Sequence, residues 1–171
     1  MPFKITFSIY EGGKAAPCFT TTDKHYARVE YNERVKKDPW TRLTFDIECI
    51  DLTQHEKYVW LVYRVRKAIH KFFNNGRSQE DMKASLKLEE ELDQWNARTR
   101  MYLNGHPNAM IDEKAKAFFI IVEAWRVKWH KYFACKKNKA VEEAVIKEMK
   151  KECFDYEDKI DKYVKQVIGL I

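Results

Sequence analysis

The sequence predicts an α+β fold, with an N-terminal antiparallel β-sheet or hairpins over about residues 3–50 packed on a four-helix C-terminal bundle. Before residue 50 the apolar residues alternate with a period of two, which is typical of strands; after residue 53 they recur every three or four residues, which is typical of helices. With only 5 Gly and 4 Pro among 171 residues, no linker is evident. We therefore expect a single domain of residues 1–171, with a β-rich part at 1–50 and a helical part at 53–171.

The first strand is predicted from four apolar residues that share one side of an extended chain: Phe3, Ile5, Phe7 and Ile9. A turn follows at residues 11–14, where Gly12 and Gly13 provide conformational freedom. Residues 18–20 form a short second strand in this interpretation.

Two interpretations remain open for residues 23–37. A hairpin is favoured by apolar residues that alternate with polar ones, namely Ala27, Val29 and Tyr31, then Leu43, Phe45 and Ile47. The alternative is a helix from Asp23 to Lys37 that Thr22 caps. We prefer the hairpin because its period of two continues the pattern of the first strand.

Four helices are predicted after residue 51, with breaks at residues 74–76, 104–107 and 136–138. The first helix begins with the capping-box spacing of Thr53 and Glu56, and Ser78 is the predicted N-cap of the second. The third helix is apolar on nearly all sides, so we expect it in the middle of the fold. The last helix has a primary seam of Val141, Val145, Met149, Glu152, Tyr156, Ile160, Tyr163 and Val167, with a second stripe of Ile146, Cys153, Val164 and Ile168.

Basic residues are concentrated in the first of these helices. The whole chain has a net charge of +6, which is modest for a nucleic-acid-binding protein. Residues 53–77 contain six Lys or Arg and one acid, Glu56, which gives a balance of +5 for this segment alone. At 100° per residue, Trp60, Arg64, Lys67 and Lys71 fall opposite its apolar stripe, with Tyr63 at the margin. Together with Arg77 they form our candidate partner-binding residues: Trp60, Tyr63, Arg64, Lys67, Lys71 and Arg77.

These basic and aromatic residues are suited to binding an acidic surface of a partner. Aromatic rings provide flat apolar platforms, and interleaved Arg and Lys neutralise carboxylates or phosphates. We predict an interaction protein, an adaptor or inhibitor, that docks on an acidic protein or nucleoprotein partner. The alternative is direct nucleic-acid binding, with phosphates on Arg and Lys and bases on Trp or Tyr. Packing of these rings within the protein itself would explain the same pattern, and a homodimer through the C-terminal helix is a further option for its partner.

A catalytic site has weaker support. Glu123, Arg126 and His130 project from one edge of the third helix, where they form either a general acid–base pair or an ordinary interhelical salt bridge. No metal-ligand spacing, Gly-rich phosphate loop or cofactor motif occurs, so we predict neither metal nor cofactor and favour a non-enzymatic role.

The apolar runs and the cysteines of the sequence indicate where in the cell the protein is expected. The longest apolar run is residues 117–122, far below the ~20 residues of a membrane-spanning helix, and residues 1–10 lack the apolar block of a signal peptide. The 4 Cys occur without a C-x-x-C pair and are interpreted as reduced thiols. We therefore expect a cytoplasmic protein without a membrane span.

Overall fold

The α+β class is confirmed by a computed structural model, which describes residues 2–108 and 112–171. Within these ranges the elements follow in the order β1 (Phe3–Tyr10), β2 (Phe19–Thr21), α1 (Lys24–Lys37), β3 (Arg42–Cys49), α2 (Gln54–Asn74), α3 (Gln79–Gly105), α4 (Glu113–Lys136) and α5 (Glu143–Ile168). The chain divides into two compact units, Met1–Thr53 and Gln54–Ile171. This division lies where the apolar period changes in the sequence.

The first unit contains a three-stranded antiparallel sheet in the order β2-β1-β3. The central strand β1 places Phe7 opposite Thr21 of β2 on one side and opposite Phe45 of β3 on the other. Phe3, Phe7 and Ile9 are buried, as their alternation predicts. Helix α1 contacts β1 and β2.

The preferred hairpin for residues 23–37 is wrong, because this segment is helix α1. Asp23, rather than Thr22, is its N-cap and accepts a hydrogen bond from the backbone N–H of Tyr26 at 2.9 Å. Ion pairs of Arg34 with Glu30 and of Lys36 with Glu33, three or four residues apart, further stabilise the helix. Since α1 buries only Ala27, it has almost no apolar stripe, and the alternation that suggested a strand was accidental.

Asp38 joins the β1–β2 turn to the end of α1. Its carboxylate accepts the backbone N–H of Gly12 at 2.9 Å and that of Trp40 at 3.0 Å, and these two hydrogen bonds lower the pKa of Asp38. A Cβ atom on Gly12 would lie 2.9 Å from the Cβ of Trp40, so the close approach of the two segments requires glycine there.

The second unit is a bundle of the four predicted helices. Helix α2 contacts α3 and α5, and α4 contacts α5. Ser78 caps α3 as predicted, accepting the N–H of Asp81 at 3.2 Å, and Gly169 ends α5 in the left-handed conformation. Side chains almost inaccessible to water form its core, including Val59, Val62, Val65, Leu92, Val122 and Ile160.

Two packing predictions for this unit are corrected. Helix α4 is not surrounded by other elements, because Ile120 and Val127 on its reverse side are 55% and 63% exposed. In α5 the buried side combines the two stripes: Cys153, Val164 and Ile168 of the second stripe are buried together with Ile160 of the primary seam, whereas Val145 of that seam is exposed. Both stripes of α5 are apolar enough to pack, so the neighbouring helices decide which of their residues are buried.

Tyr58 forms a buried polar contact in this core, where its phenol donates to Asn96 Oδ1 at 2.6 Å. Burial raises the pKa of Tyr58, and the charge of Glu123 raises it further. In the unfolded chain the Tyr58 phenol loses its proton near pH 10, whereas in the folded chain it keeps the proton. The contribution of Tyr58 to the free energy of unfolding is therefore fully present below pH 10 and falls as the pH rises above it. Because of Tyr58, we expect the free energy of unfolding to fall by about 1.4 kcal/mol for each pH unit above pH 10.

Chemical denaturation of wild type and Tyr58→Phe between pH 8 and pH 11 measures this contribution. The variant should lose about 1 kcal/mol at pH 8, because Asn96 loses its donor, and should then depend less steeply on pH than wild type. Equal slopes above pH 10 would contradict the assignment. Tyr63 and Tyr163, whose pKa values burial also raises, remain in both proteins and cancel in the comparison.

Within the ranges that the structure describes, no helix has both the length and the apolar character needed to cross a membrane.

Candidate functional site

Four of the predicted partner-binding residues lie together on α2 and are named here the Trp60 face: Trp60, Tyr63, Arg64 and Lys67. The rings of Trp60 and Tyr63 stack with centroids 5.2 Å apart and planes 16° apart. The ammonium of Lys67 lies 5.8 Å from the Tyr63 ring centroid, and Arg64 is exposed. Burial raises the pKa of the Tyr63 phenol, with a further contribution from Asp161, so the phenol remains a neutral donor at physiological pH.

The other two predicted residues contact partners of their own. Lys71 forms an ion pair with Asp81 of α3 at 3.5 Å, which neutralises part of the basic charge of α2. Arg77 follows the end of α2 with a φ of 59°, and its guanidinium lies 5.4 Å from the ring centroid of Phe73. Lys71 is therefore paired with a neighbouring helix, and Arg77 lies beyond the end of α2 beside Phe73.

Glu123, Arg126 and His130 do not converge on one another. Glu123 pairs with Arg100 of α3. Arg126 is buried and binds Asp93 through two hydrogen bonds of 3.0 Å, and it also binds Glu89 at 2.9 Å. These contacts match the interhelical salt bridges that the sequence left as the alternative to a catalytic pair. In the described residues, no three His, Cys, Asp or Glu side chains form a group that could hold a metal ion.

A second candidate site, named here the aromatic cavity, lies within the helical unit. It has a volume of about 520 Å³ and opens between the end of α2, the start of α3, the second half of α4 and the first half of α5. Its walls are rich in aromatic rings, contributed by Phe73, Trp125, Trp129, Tyr132, Phe133 and Phe154. Trp129 is central to this wall, stacked on Phe133 at 5.3 Å and meeting Phe154 edge to face at 5.9 Å.

The inner part of the cavity contains a buried carboxylate. Glu157 is 9% exposed, and its Oε1 accepts the indole N–H of Trp125 at 3.3 Å and that of Trp129 at 3.1 Å. Burial raises the pKa of the Cys153 thiol one turn earlier, and the negative charge of Glu157 raises it further. Within the described residues, Glu157 Oε2 has no hydrogen-bond partner and no basic side chain lies within ion-pair distance.

Basic side chains surround the opening of the cavity. Arg77, Lys136 and Lys150 are exposed there, and each lies over a wall ring at 5.4 to 6.0 Å from its centroid. Two exposed histidines, His70 and His130, line the same opening. The cavity therefore has an acidic interior and a basic rim.

Sequence reasoning did not identify Glu157 as a site residue. Its signal was present: Glu157 follows Cys153 by four residues and precedes Val164 by seven, which places an acid on the second apolar stripe of α5. That stripe was treated as secondary, and Glu157 was not singled out. The aromatic residues of α4 were assigned to core packing, and the space between them depends on four helices meeting.

Comparison of the chain with protein-family models, curated proteins and solved structures found no match. What the two sites bind is therefore inferred from their own residues.

Proposed function

We propose that this chain is a non-enzymatic interaction protein, an adaptor or inhibitor, that docks its Trp60 face on an acidic protein or nucleoprotein partner in the cytoplasm. The observation that carries the proposal is the stacked Trp60–Tyr63 pair with Arg64 and Lys67 beside it. Stacked rings present a rigid apolar surface with little conformational entropy to lose on binding. Aromatic residues and Arg are also the residue types that dominate the energetics of protein interfaces.

The same geometry favours a protein partner over nucleic acid. Stacking between Trp60 and Tyr63 covers one face of each ring, which halves the ring area that bases could stack on. Tight phosphate binding needs several available cations, and Lys71 is paired with Asp81 while Arg77 lies at the aromatic cavity. Within the described residues Arg64 has no ion-pair partner, so it is available for a carboxylate.

The test measures binding of two probes across a salt series: a synthetic peptide that alternates Glu with Phe and Leu, and a single-stranded RNA of the same length. We expect the peptide to bind wild type more tightly than the RNA does. Charge reversal in Arg64→Glu/Lys67→Glu should weaken peptide binding by at least about tenfold, because it replaces two attractive contacts by repulsive ones. The affinity should also fall with increasing salt.

A matched control reverses two exposed lysines of α3, Lys83→Glu/Lys87→Glu, which changes the net charge equally. This control should retain peptide binding to within about twofold. An equal loss in both variants would mean that only net charge matters and would contradict the proposal. Tighter binding of the RNA, lost in Arg64→Glu/Lys67→Glu, would instead make nucleic acid the ligand.

A further inference from the structure

We propose that the aromatic cavity binds a small organic amine, with its apolar ring system among the wall rings and its protonated amino group on Glu157. This site is separate from the Trp60 face and does not depend on the function proposed above. A volume of about 520 Å³ lies in the ~300–1,000 Å³ range of pockets that enclose small organic ligands. Such pockets combine apolar walls with a few convergent polar groups, as this one does.

The unusual position of Glu157 is the first argument for an amine. In the described part of the chain, it is the acidic side chain that is both about nine-tenths buried and without a basic partner. Other acids of this unit are paired across helices: Glu89 and Asp93 with Arg126, and Asp161 with Arg66. A buried charge needs pairing or hydrogen bonds, and a ligand ammonium supplies both.

The geometry of Glu157 is the second argument. Both indole N–H groups donate to Oε1, which fixes the carboxylate in place and leaves Oε2 for a further donor. The Trp129 indole is held in turn by stacking on Phe133 and by an edge-to-face contact with Phe154. The acceptor is therefore positioned before the ligand arrives, and little reorganisation is needed on binding.

The wall rings are the third argument. Aromatic faces attract cations, and this structure already shows the contact at the rim, where Lys136 lies over Tyr132 and Lys150 over Phe154. An ammonium entering between Trp125, Trp129 and Phe154 meets the same kind of surface together with a carboxylate. Aromatic rings combined with an acid form a general recognition site for organic cations.

The basic rim does not reverse this preference. Arg77, Lys136 and Lys150 are exposed on long flexible side chains, so water and salt screen their charges, whereas the charge of Glu157 is screened far less. An anionic ligand would gain weak contacts at the rim and meet repulsion inside. A ligand with several positive charges would be disfavoured at the rim, so we infer that a single amino group is preferred.

The test compares three indoles that differ in one group: tryptamine, which is cationic, tryptophol, which is neutral, and indole-3-acetate, which is anionic. Isothermal titration calorimetry of wild type should rank tryptamine first by at least about tenfold over tryptophol, with indole-3-acetate weakest. The indole N–H signals of Trp125 and Trp129 should shift in NMR spectra when tryptamine binds. These measurements need no variant and remain informative if substitutions destabilise the fold.

Two variants then locate the interaction. Glu157→Gln keeps an oxygen acceptor for the indoles but removes the charge, so tryptamine should lose its advantage over tryptophol. Asp158→Asn removes one charge from the neighbouring exposed position and should leave the ranking unchanged. Arg64→Glu/Lys67→Glu should also bind tryptamine normally, so failure of this proposal and failure of the partner proposal are distinguishable.

Four results would overturn the proposal: no binding of any of the three indoles, a ranking led by tryptophol or indole-3-acetate, an unchanged ranking in Glu157→Gln, or shifts confined to the other three of the 5 Trp residues.

Discussion

Replacing Trp125 by Ala should lower the free energy of unfolding by about 3 to 5 kcal/mol, which is the range for removing a large aromatic side chain from a core. Trp125 is 1% exposed, and its indole N–H donates to Glu157 Oε1 at 3.3 Å. The substitution removes buried apolar area, extends the existing cavity and takes one of the two donors from a buried carboxylate. The three effects act in the same direction.

Urea denaturation of Trp125→Ala beside Trp60→Ala measures the effect with an internal control. Trp60 is only half-buried, so the same chemical change there should cost less than about 2 kcal/mol. Trp125→Phe retains a ring but not the donor and should lie between wild type and Trp125→Ala. Equal destabilisation by the two alanine variants would show that the cavity wall does not depend on Trp125.

Replacing Arg126 by Met should lower the free energy of unfolding by about 3 kcal/mol. Met retains much of the apolar length of Arg, so the loss reports the charge contacts to Asp93 and Glu89. Breaking a buried ion pair usually costs about 3 to 5 kcal/mol. We expect the lower end because the Asp93 side chain is 47% exposed, and water screens part of the remaining repulsion.

Further variants distinguish repulsion between the unpaired carboxylates from a loss of side-chain packing at position 126. Asp93→Asn and Glu89→Gln, added to Arg126→Met, remove the unpaired carboxylates and should recover at least about half of the lost stability. Arg126→Lys retains the charge but not the two-pronged contact with Asp93, so it should cost less than Arg126→Met. No recovery in the combined variant would assign the loss to packing alone.

Burial disfavours the charged form of Arg126, whereas the neighbouring carboxylates favour it. Desolvation lowers the pKa of Arg126, but hydrogen bonds and charge attraction from Asp93 and Glu89 outweigh it, and the net change is upward. Arg126 therefore remains charged at every accessible pH.

The local signals of the helices were sufficient to predict their positions. Ser78 and Gly169 act at their own helix ends, and a cap depends on bonds between residues that are close in sequence. The apolar stripe of α2 likewise predicted its buried side, with Leu61, Val62 and Val65 in the core. Helix α1 lacks such a stripe, and there the same reasoning gave a strand.

The candidate sites were predictable to different degrees. The Trp60 face lies on one helix, so the helical period alone placed Trp60, Tyr63, Arg64 and Lys67 together. The ion pair of Lys71 with Asp81 and the position of Arg77 at the cavity rim depend on other segments of the fold. The partner of this face, the single-domain organisation and the cytoplasmic location remain predictions.

The sequence by itself determined the α+β class, the change of pattern near residue 53 and the positions of α2 to α5, because periodicity and capping act over a few residues. Only the tertiary structure decided which residues of the two α5 stripes are buried and which face of α4 stays exposed. It also brought Glu157 within hydrogen-bond distance of Trp125 and Trp129, which are 32 and 28 residues away in the chain. Such contacts depend on how helices pack against one another, and helical periodicity contains no information about which helix becomes the neighbour.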